Sequence, residues 1–402
     1  MSILKVSPPL IVVMGIAQLF AMASFANFAV LINDFTALWQ LSSTQAGWIS
    51  GIYFAGYVTA VPVLVGLTDA LDARRIYVFG LLCGFAGSVG YALFADGFVS
   101  AMVFRFVAGI SLAGTYMPGL QIINDRLQDR ARQRVLPWYL SIFSIGTAAS
   151  YYFTGLLSTH LAWQEVFLFA GVVQALCIPL IIAFVFPKKP DHPQAGSRHP
   201  LDFRPVFKNK GALAYIWGYV GHTYELFAYR AWIVAFLIFA AGASATDISR
   251  EGVASLAAAF SLLGMPASLI GAQICLARSR RQTISIVMVL SVALGSILGF
   301  MGALPFIFVV ILAGLYSIFI MSDSAALTGG VVAAAREGER GATLAMHSVF
   351  GFSGGFLGPL LVGWVLDMGA GPGSTAGWGG AFLACAAGSL VALIGMRALS
   401  RN

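Results

Sequence analysis

The amino-acid sequence predicts an all-α membrane protein, with twelve transmembrane helices forming two pseudo-symmetric six-helix bundles. Three observations predict it. First, 59% of the 402 residues are hydrophobic and only 10% are charged, against about 25% charged in soluble domains. Second, the apolar stretches are continuous and about 20 residues long, the length of a membrane-crossing helix rather than of a barrel strand. Lipid solvates such surface provided each span satisfies its own backbone hydrogen bonds as a helix. Third, Lys and Arg gather on one side of the predicted spans, as cytoplasmic loops require.

The spans fall at roughly 9–31, 46–66, 76–95, 98–121, 137–158, 164–186, 212–241, 252–276, 283–302, 304–333, 342–366 and 377–397, with ends good to a few residues. The first stretch runs past the usual signal-peptide length without an Ala-x-Ala exit, so it reads as span one. Arg74 and Arg75 close the turn after span two, and Arg134 precedes span five. After span six comes the one long polar segment, Pro187 to Lys210, with five prolines and eight Lys, Arg or Asp residues. It reads as a linker, dividing the chain into a bundle at 1–186, the linker at 187–210 and a second bundle at 211–402.

The second half repeats the first. Arg280-Arg281 echoes Arg74-Arg75, Arg340 echoes Arg134, and Ser348-Val349-Phe350 echoes Ser141-Ile142-Phe143. Trp378-x-x-x-Phe382 likewise echoes Trp163-x-x-x-Phe167. Four echoes in one order point to a duplicated six-helix unit. Arg250 alone sits on the side opposite the other loop cations, while Arg105 and Arg230 lie within spans. Both termini and the linker are therefore expected in the cytoplasm, in a multi-pass protein of the cell inner membrane. The same sidedness accounts for the net charge of +7 without nucleic acid. Cys83, Cys177, Cys275 and Cys385 lie far apart in apolar runs and read as small core residues.

Charged residues inside spans cost about 2.5–3.5 kcal/mol each on insertion scales, so each needs a reason. Five candidates stand out: Arg105, His222, Glu225, Arg230 and Asp323. Span seven is the densest, with Tyr215, Tyr219, His222, Glu225, Tyr229 and Trp232 spaced by four, three, three, four and three along one helical face. His titrates near neutral pH and a buried Glu is raised toward it, so the pair can pick up and release a proton. The bland alternative is an internal ion pair of Glu225 with Arg230 or Arg105. Asp323 is flanked by Ser322 and Ser324, which could satisfy it locally. Arg230 can snorkel toward the outer surface. His347 reads as a satisfied polar contact, and Asp34 as solvated.

The loop from Val65 to Arg75, Val-Gly-Leu-Thr-Asp-Ala-Leu-Asp-Ala-Arg-Arg, is a degenerate copy of a known signature, Gly-x-x-x-Asp-Arg-x-Gly-Arg-Arg. Asp69, Arg74 and Arg75 match; Ala70, Asp72 and Ala73 do not. Arg105-Phe106-Val107-Ala108-Gly109 matches the Arg-x-x-x-Gly of span four. With two six-helix halves and a long linker, the chain resembles the major facilitator superfamily. The antiporter glycine pattern of span five is missing; a partial version stands in span eleven as Gly351, Gly354, Gly355, Gly358 and Pro359.

The resemblance implies a substrate site near mid-membrane between the halves, with span seven lining it. It also implies a cytoplasmic latch at Asp69, Arg74 and Arg75. The expected function is secondary active transport of a small solute by alternating access, proton-coupled, with uptake favoured. The expected substrate-binding or proton-coupling residues are His222, Glu225, Arg105, Asp323, Tyr219, Tyr229 and Arg230. Arg105 and Arg230 suit an anion, Glu225 and Asp323 a cation or proton, and the aromatic face a planar organic solute. An efflux antiporter is one alternative, and a non-transporting assembly factor or sensor another. No phosphate-binding loop, His-Glu-x-x-His, Gly-x-Ser-x-Gly or Cys pair is present, so an enzyme is not expected. No cofactor or metal is expected either, since no Met or His pair has soft-metal spacing. The expected partners are the solute, protons and the lipid bilayer, around a monomer.

Overall fold

A computed structural model describes residues 8–127, 129–188, 203–337 and 339–401. All regular structure among them is helical. Among the described residues, eleven helices are long and apolar enough to cross a membrane. Spans two to six are Ser43–Leu67, Ala73–Phe94, Phe98–Arg126, Asp129–Leu157 and Trp163–Phe184. Spans seven to nine are Lys210–Ala243, Arg250–Ala277 and Arg280–Leu298. Spans eleven and twelve are Arg340–Met368 and Thr375–Arg401. Most of the 187–210 linker lies outside the described residues; its last part forms a short helix, Arg204–Phe207, on spans seven and eleven.

Two spans differ from the expected continuous helices. Span one is helical over Pro8–Ala21, turns at 22–26, and resumes as Asn27–Val30 and Ile32–Trp39. It therefore runs past the expected end at 31, and Asp34 belongs to a helix. Span ten is split at Asp323 into Phe306–Ser322 and Ser324–Ala334. Neither break contains Pro or Gly. In each, the freed backbone groups find side chains on other spans, which is what permits irregular backbone at this depth.

Intact spans start on local signals. Ser42 and Gln45 form a capping box for span two, and Asp72, Asn209 and Ser249 cap spans three, seven and eight. Pro62, Pro118, Pro179, Pro266 and Pro359 sit inside helices. Close approach rests on small residues: a Cβ on Gly109 would strike the Tyr53 carbonyl, and one on Gly80 would meet Gly114. Large side chains such as Phe94, Leu176, Ile307 and Ile394 stay exposed on the outside, where lipid takes the place of a protein partner.

The two bundles meet along two seams, span two against span eleven and span five against span eight. On the side opposite the termini the seams are sealed by polar contacts. Asp34 pairs with Arg250 at 2.7 Å. Asp367, at the end of span eleven, accepts from the Ser43 and Thr44 amides at 2.8 and 2.7 Å and from the Thr44 hydroxyl at 2.6 Å. A carboxylate of one bundle thus caps the first turn of a helix in the other, where unpaired amides and the helix dipole favour it. Deeper in, Phe54 and Phe227 meet across the seam with ring centroids 4.0 Å apart, and Tyr57 hydrogen-bonds Ser348 at 3.0 Å.

Candidate functional site

His222, Glu225 and Tyr229 of span seven make their contacts within the second bundle rather than across the seam. Glu225 points into the second bundle, where Oε1 accepts from Tyr316 at 2.7 Å and Ser291 at 3.1 Å. Ser389 donates to Oε2. Three hydroxyls from spans nine, ten and twelve enclose it, and neither Arg105 nor Arg230 is among these partners. Tyr229 donates to the Ala313 carbonyl at 3.0 Å and Trp232 to the Pro359 carbonyl at 3.0 Å. His222 Nδ1 lies 2.7 Å from Asp323 Oδ1, both buried, without the alignment of a hydrogen bond. Asp323 is thus met by His222, while its neighbour Ser322 donates to the Ile318 carbonyl. Tyr219 stacks on His222 at 5.3 Å and lies tilted against His347 at 4.1 Å, and His347 Nε2 lies 3.4 Å from the Thr328 hydroxyl.

The seam carries a different set. Below the seal, a cavity of about 30 Å³ is lined by residues of both bundles, among them Ser50, Tyr53, Phe54, Arg105, Phe227 and Arg230. Arg105 is 5% exposed and Arg230 6%, so Arg230 does not snorkel outward. Arg105 donates to the Ser24 carbonyl at 3.2 Å and lies 4.7 Å over the Tyr53 ring. Arg230 lies 5.7 Å from the centre of the Phe227 ring and 6.0 Å from that of Phe143. Tyr151 donates to the Arg230 backbone carbonyl, fixing that turn of span seven against span five. Three buried polar atoms of this lining lack a hydrogen-bond partner among the described residues: Arg105 Nε, Arg230 Nη1 and Ser50 Oγ. No Asp or Glu lines the cavity. A larger cavity of about 260 Å³ between spans one, five and six has no charged lining residue. It is the less informative of the two for solute chemistry.

Sequence spacing missed Ser50, Phe54 and Phe227, because a Ser or Phe in an apolar span looks like packing. It found Arg105 and Arg230 through the cost of burying a charge. At the termini side, Asp69 and Arg75 are exposed, and Arg74 donates to the Ile182 carbonyl at 2.9 Å within its own bundle. The built-in carboxylate of this loop is Asp72. It pairs with Arg126 at 2.8 Å, accepts from the Lys188 amide at 2.9 Å and caps Arg74 at 3.1 Å. Burial alone would raise its pKa, but these donors outweigh burial and hold it below the usual carboxylate value. Its contribution to stability is therefore present above the ordinary carboxylate pKa and lost as pH falls through the lowered one.

Two helical bundles joined along a seam, sealed on one side over buried charges, define a multi-pass membrane transporter. The chain belongs to the Major Facilitator Superfamily, whose profile matches residues 14–328. It is 26% identical over 179 residues to an uncharacterized MFS-type transporter of Enterobacter sp. (strain 638), covering 42% of this chain and 45% of that one. It is 22% identical over 160 residues to a putative niacin/nicotinamide transporter of Bacillus subtilis (strain 168), covering 40% of each. The chain thus spans less than half the length of these curated relatives. Among solved structures, a bacterial homolog of the human lysosomal transporter Spinster, inward-facing and occupied, superposes with a TM-score of 0.78 at 14% identity. That match covers 100% of this chain and 98% of that one. The nucleoside transporter NupG superposes with a TM-score of 0.72 at 16% identity, covering 97% and 99%.

Proposed function

We propose that the protein is a secondary active transporter of the cell inner membrane that takes up a small organic or anionic solute together with protons. Both termini face the cytoplasm in this reading, so the sealed side faces outward. The 1–186 and 211–402 bundles then rock about the seam as a monomer. The observation that carries the reading is the arrangement of the seam itself. Hydrogen bonds and one ion pair close it at one end, directly above two buried arginines contributed by different bundles. Such a seal can break without unfolding either bundle, and breaking it would expose the charged pocket to the other side.

The coupling groups in this reading are the carboxylates of the second bundle, Glu225 and Asp323, with His222 as the partner of Asp323. A protonated carboxyl crosses a dry intermediate more cheaply than a charged one. Tyr219 and Tyr229 pack around these groups. The niacin/nicotinamide name of the Bacillus relative places pyridine carboxylates and their amides first in a substrate panel.

The test is uptake by proteoliposomes across that panel, with and without an inward proton gradient. A gradient is expected to drive accumulation. Glu225→Gln and Asp323→Asn should each lose accumulation while retaining exchange of labelled for unlabelled solute. Full gradient-driven accumulation by both variants would remove these residues from coupling. Accumulation driven only outward would make the protein an efflux system.

A further inference from the structure

We infer that Ser50, Arg105 and Arg230 form an oxyanion subsite for the carboxylate of a small aromatic acid. The inference rests on the reading of the chain as a transporter and names the substrate class of its seam pocket. Three residues lining one small cavity each carry an unpaired donor: a hydroxyl from span two, a guanidinium Nε from span four and a guanidinium Nη1 from span seven. All three residues are more than nine-tenths buried, and none of these atoms has a hydrogen-bond partner among the described residues. Buried donors are ordinarily paired, and unpaired ones mark a group still to be supplied.

Charge points the same way. Two guanidiniums share a cavity whose lining contains no carboxylate. Ring faces and a backbone carbonyl offset part of their burial, but none of these brings a negative charge. An anion would supply it, and a planar carboxylate suits guanidinium N–H groups, which bind it with charge-assisted hydrogen bonds. A cation would add a third positive charge to the pocket.

The body of the ligand is set by the walls. Phe25 contacts the rings of Tyr53, Phe54, Phe143 and Phe227 at 5.5–6.4 Å. It therefore bridges the aromatic partners of both arginines. The present space of about 30 Å³ holds a water-sized group, enough for a head group and not for a ring. The ring would lodge where Phe54 and Phe227 now touch across the seam. Neither side chain has a polar atom to hold it, so both can swing aside at the cost of packing alone.

The test uses the purified full chain in nanodiscs and titrates benzoate, benzamide and benzylammonium by calorimetry. Benzoate is expected to bind at least about tenfold more tightly than the isosteric amide or the cation, the scale of hydrogen bonds to a charged group. Arg230→Gln should weaken benzoate by about tenfold or more and leave benzamide unchanged. Ser50→Ala should weaken benzoate less, and it keeps the test open if Arg230→Gln does not fold. Equal binding of benzamide or benzylammonium, no benzoate binding, or benzoate binding unchanged in both variants would each overturn the subsite. The transporter reading fails separately, if spin-label distances across the seal show no second state.

Discussion

The two bundles solve one problem in opposite ways. In each, the first and fourth helices are joined at a break in one of them. In the first bundle span one is broken, and its freed backbone is held by side chains. Arg105 reaches the Ser24 carbonyl, Gln174 reaches Ala21 and Ser24, and Ser150 bridges Ala23 and Ala26. In the second bundle span ten is broken at Asp323. Its freed Ala325 amide goes to Ser268 at 3.2 Å, and the carboxylate at the break meets His222 of span seven. The first bundle thus carries a cation with no counter-charge at its break, and the second carries a closed pair. Under the proposed function, the open charge serves the solute and the paired one the proton.

Removing half of the closed pair should have the largest effect. His222→Asn leaves Asp323 buried without its partner, which typically costs about 3–5 kcal/mol. The double variant His222→Asn, Asp323→Asn should recover much of that loss in thermal unfolding. If the double variant is no better than the single one, the pair is not coupled and the comparison breaks.

Arg105→Leu should cost less, about 1–3 kcal/mol for an unmet Ser24 carbonyl, because deleting an uncompensated charge also removes its burial penalty. Anion binding should be lost with it. A loss as large as that of His222→Asn would show that the arginine is a structural strut with no charge left over. Smallest of all, Asp69→Asn should change stability by less than about 0.5 kcal/mol, since Asp69 is exposed in this state. A larger loss would place the signature aspartate in a contact that the exposed position does not provide.

The contrast between the bundles was only partly legible in the sequence. Continuous apolar runs located eleven of the spans to within a few residues, apart from an early start to span five at Asp129. They missed both breaks because Ala21 to Ala26 and Ser322 to Ser324 contain neither Pro nor Gly. What opens these helices comes from far along the chain: Arg105, Ser150 and Gln174 in one case, His222 and Ser268 in the other. Likewise, spacing showed that His222, Glu225, Tyr229 and Trp232 share a face of span seven. It could not show that this face turns toward spans nine to twelve, because Ser291, Tyr316 and Ser389 are distant in sequence. The seam-facing side of the same helix, Phe227, Arg230 and Ala231, is apolar but for one arginine and resembles any lipid-facing stripe.

In the proposed function, the seal over the pocket is one of two alternating states. Spin labels placed in a cysteine-free background measure it directly. Leu38→Cys and Met368→Cys report the sealed side from exposed positions on opposite bundles, and Arg75→Cys and Arg281→Cys report the side of the termini. Asp367→Asn removes the charge of a cross-bundle cap, an effect of about 0.3–1 kcal/mol, so it should shift the two states by roughly two- to fivefold. The distance across the sealed side should lengthen and the distance on the termini side shorten, in the same fraction of molecules. A lengthening on one side alone, or distances that Asp367→Asn leaves unmoved on both sides, would contradict the two alternating states.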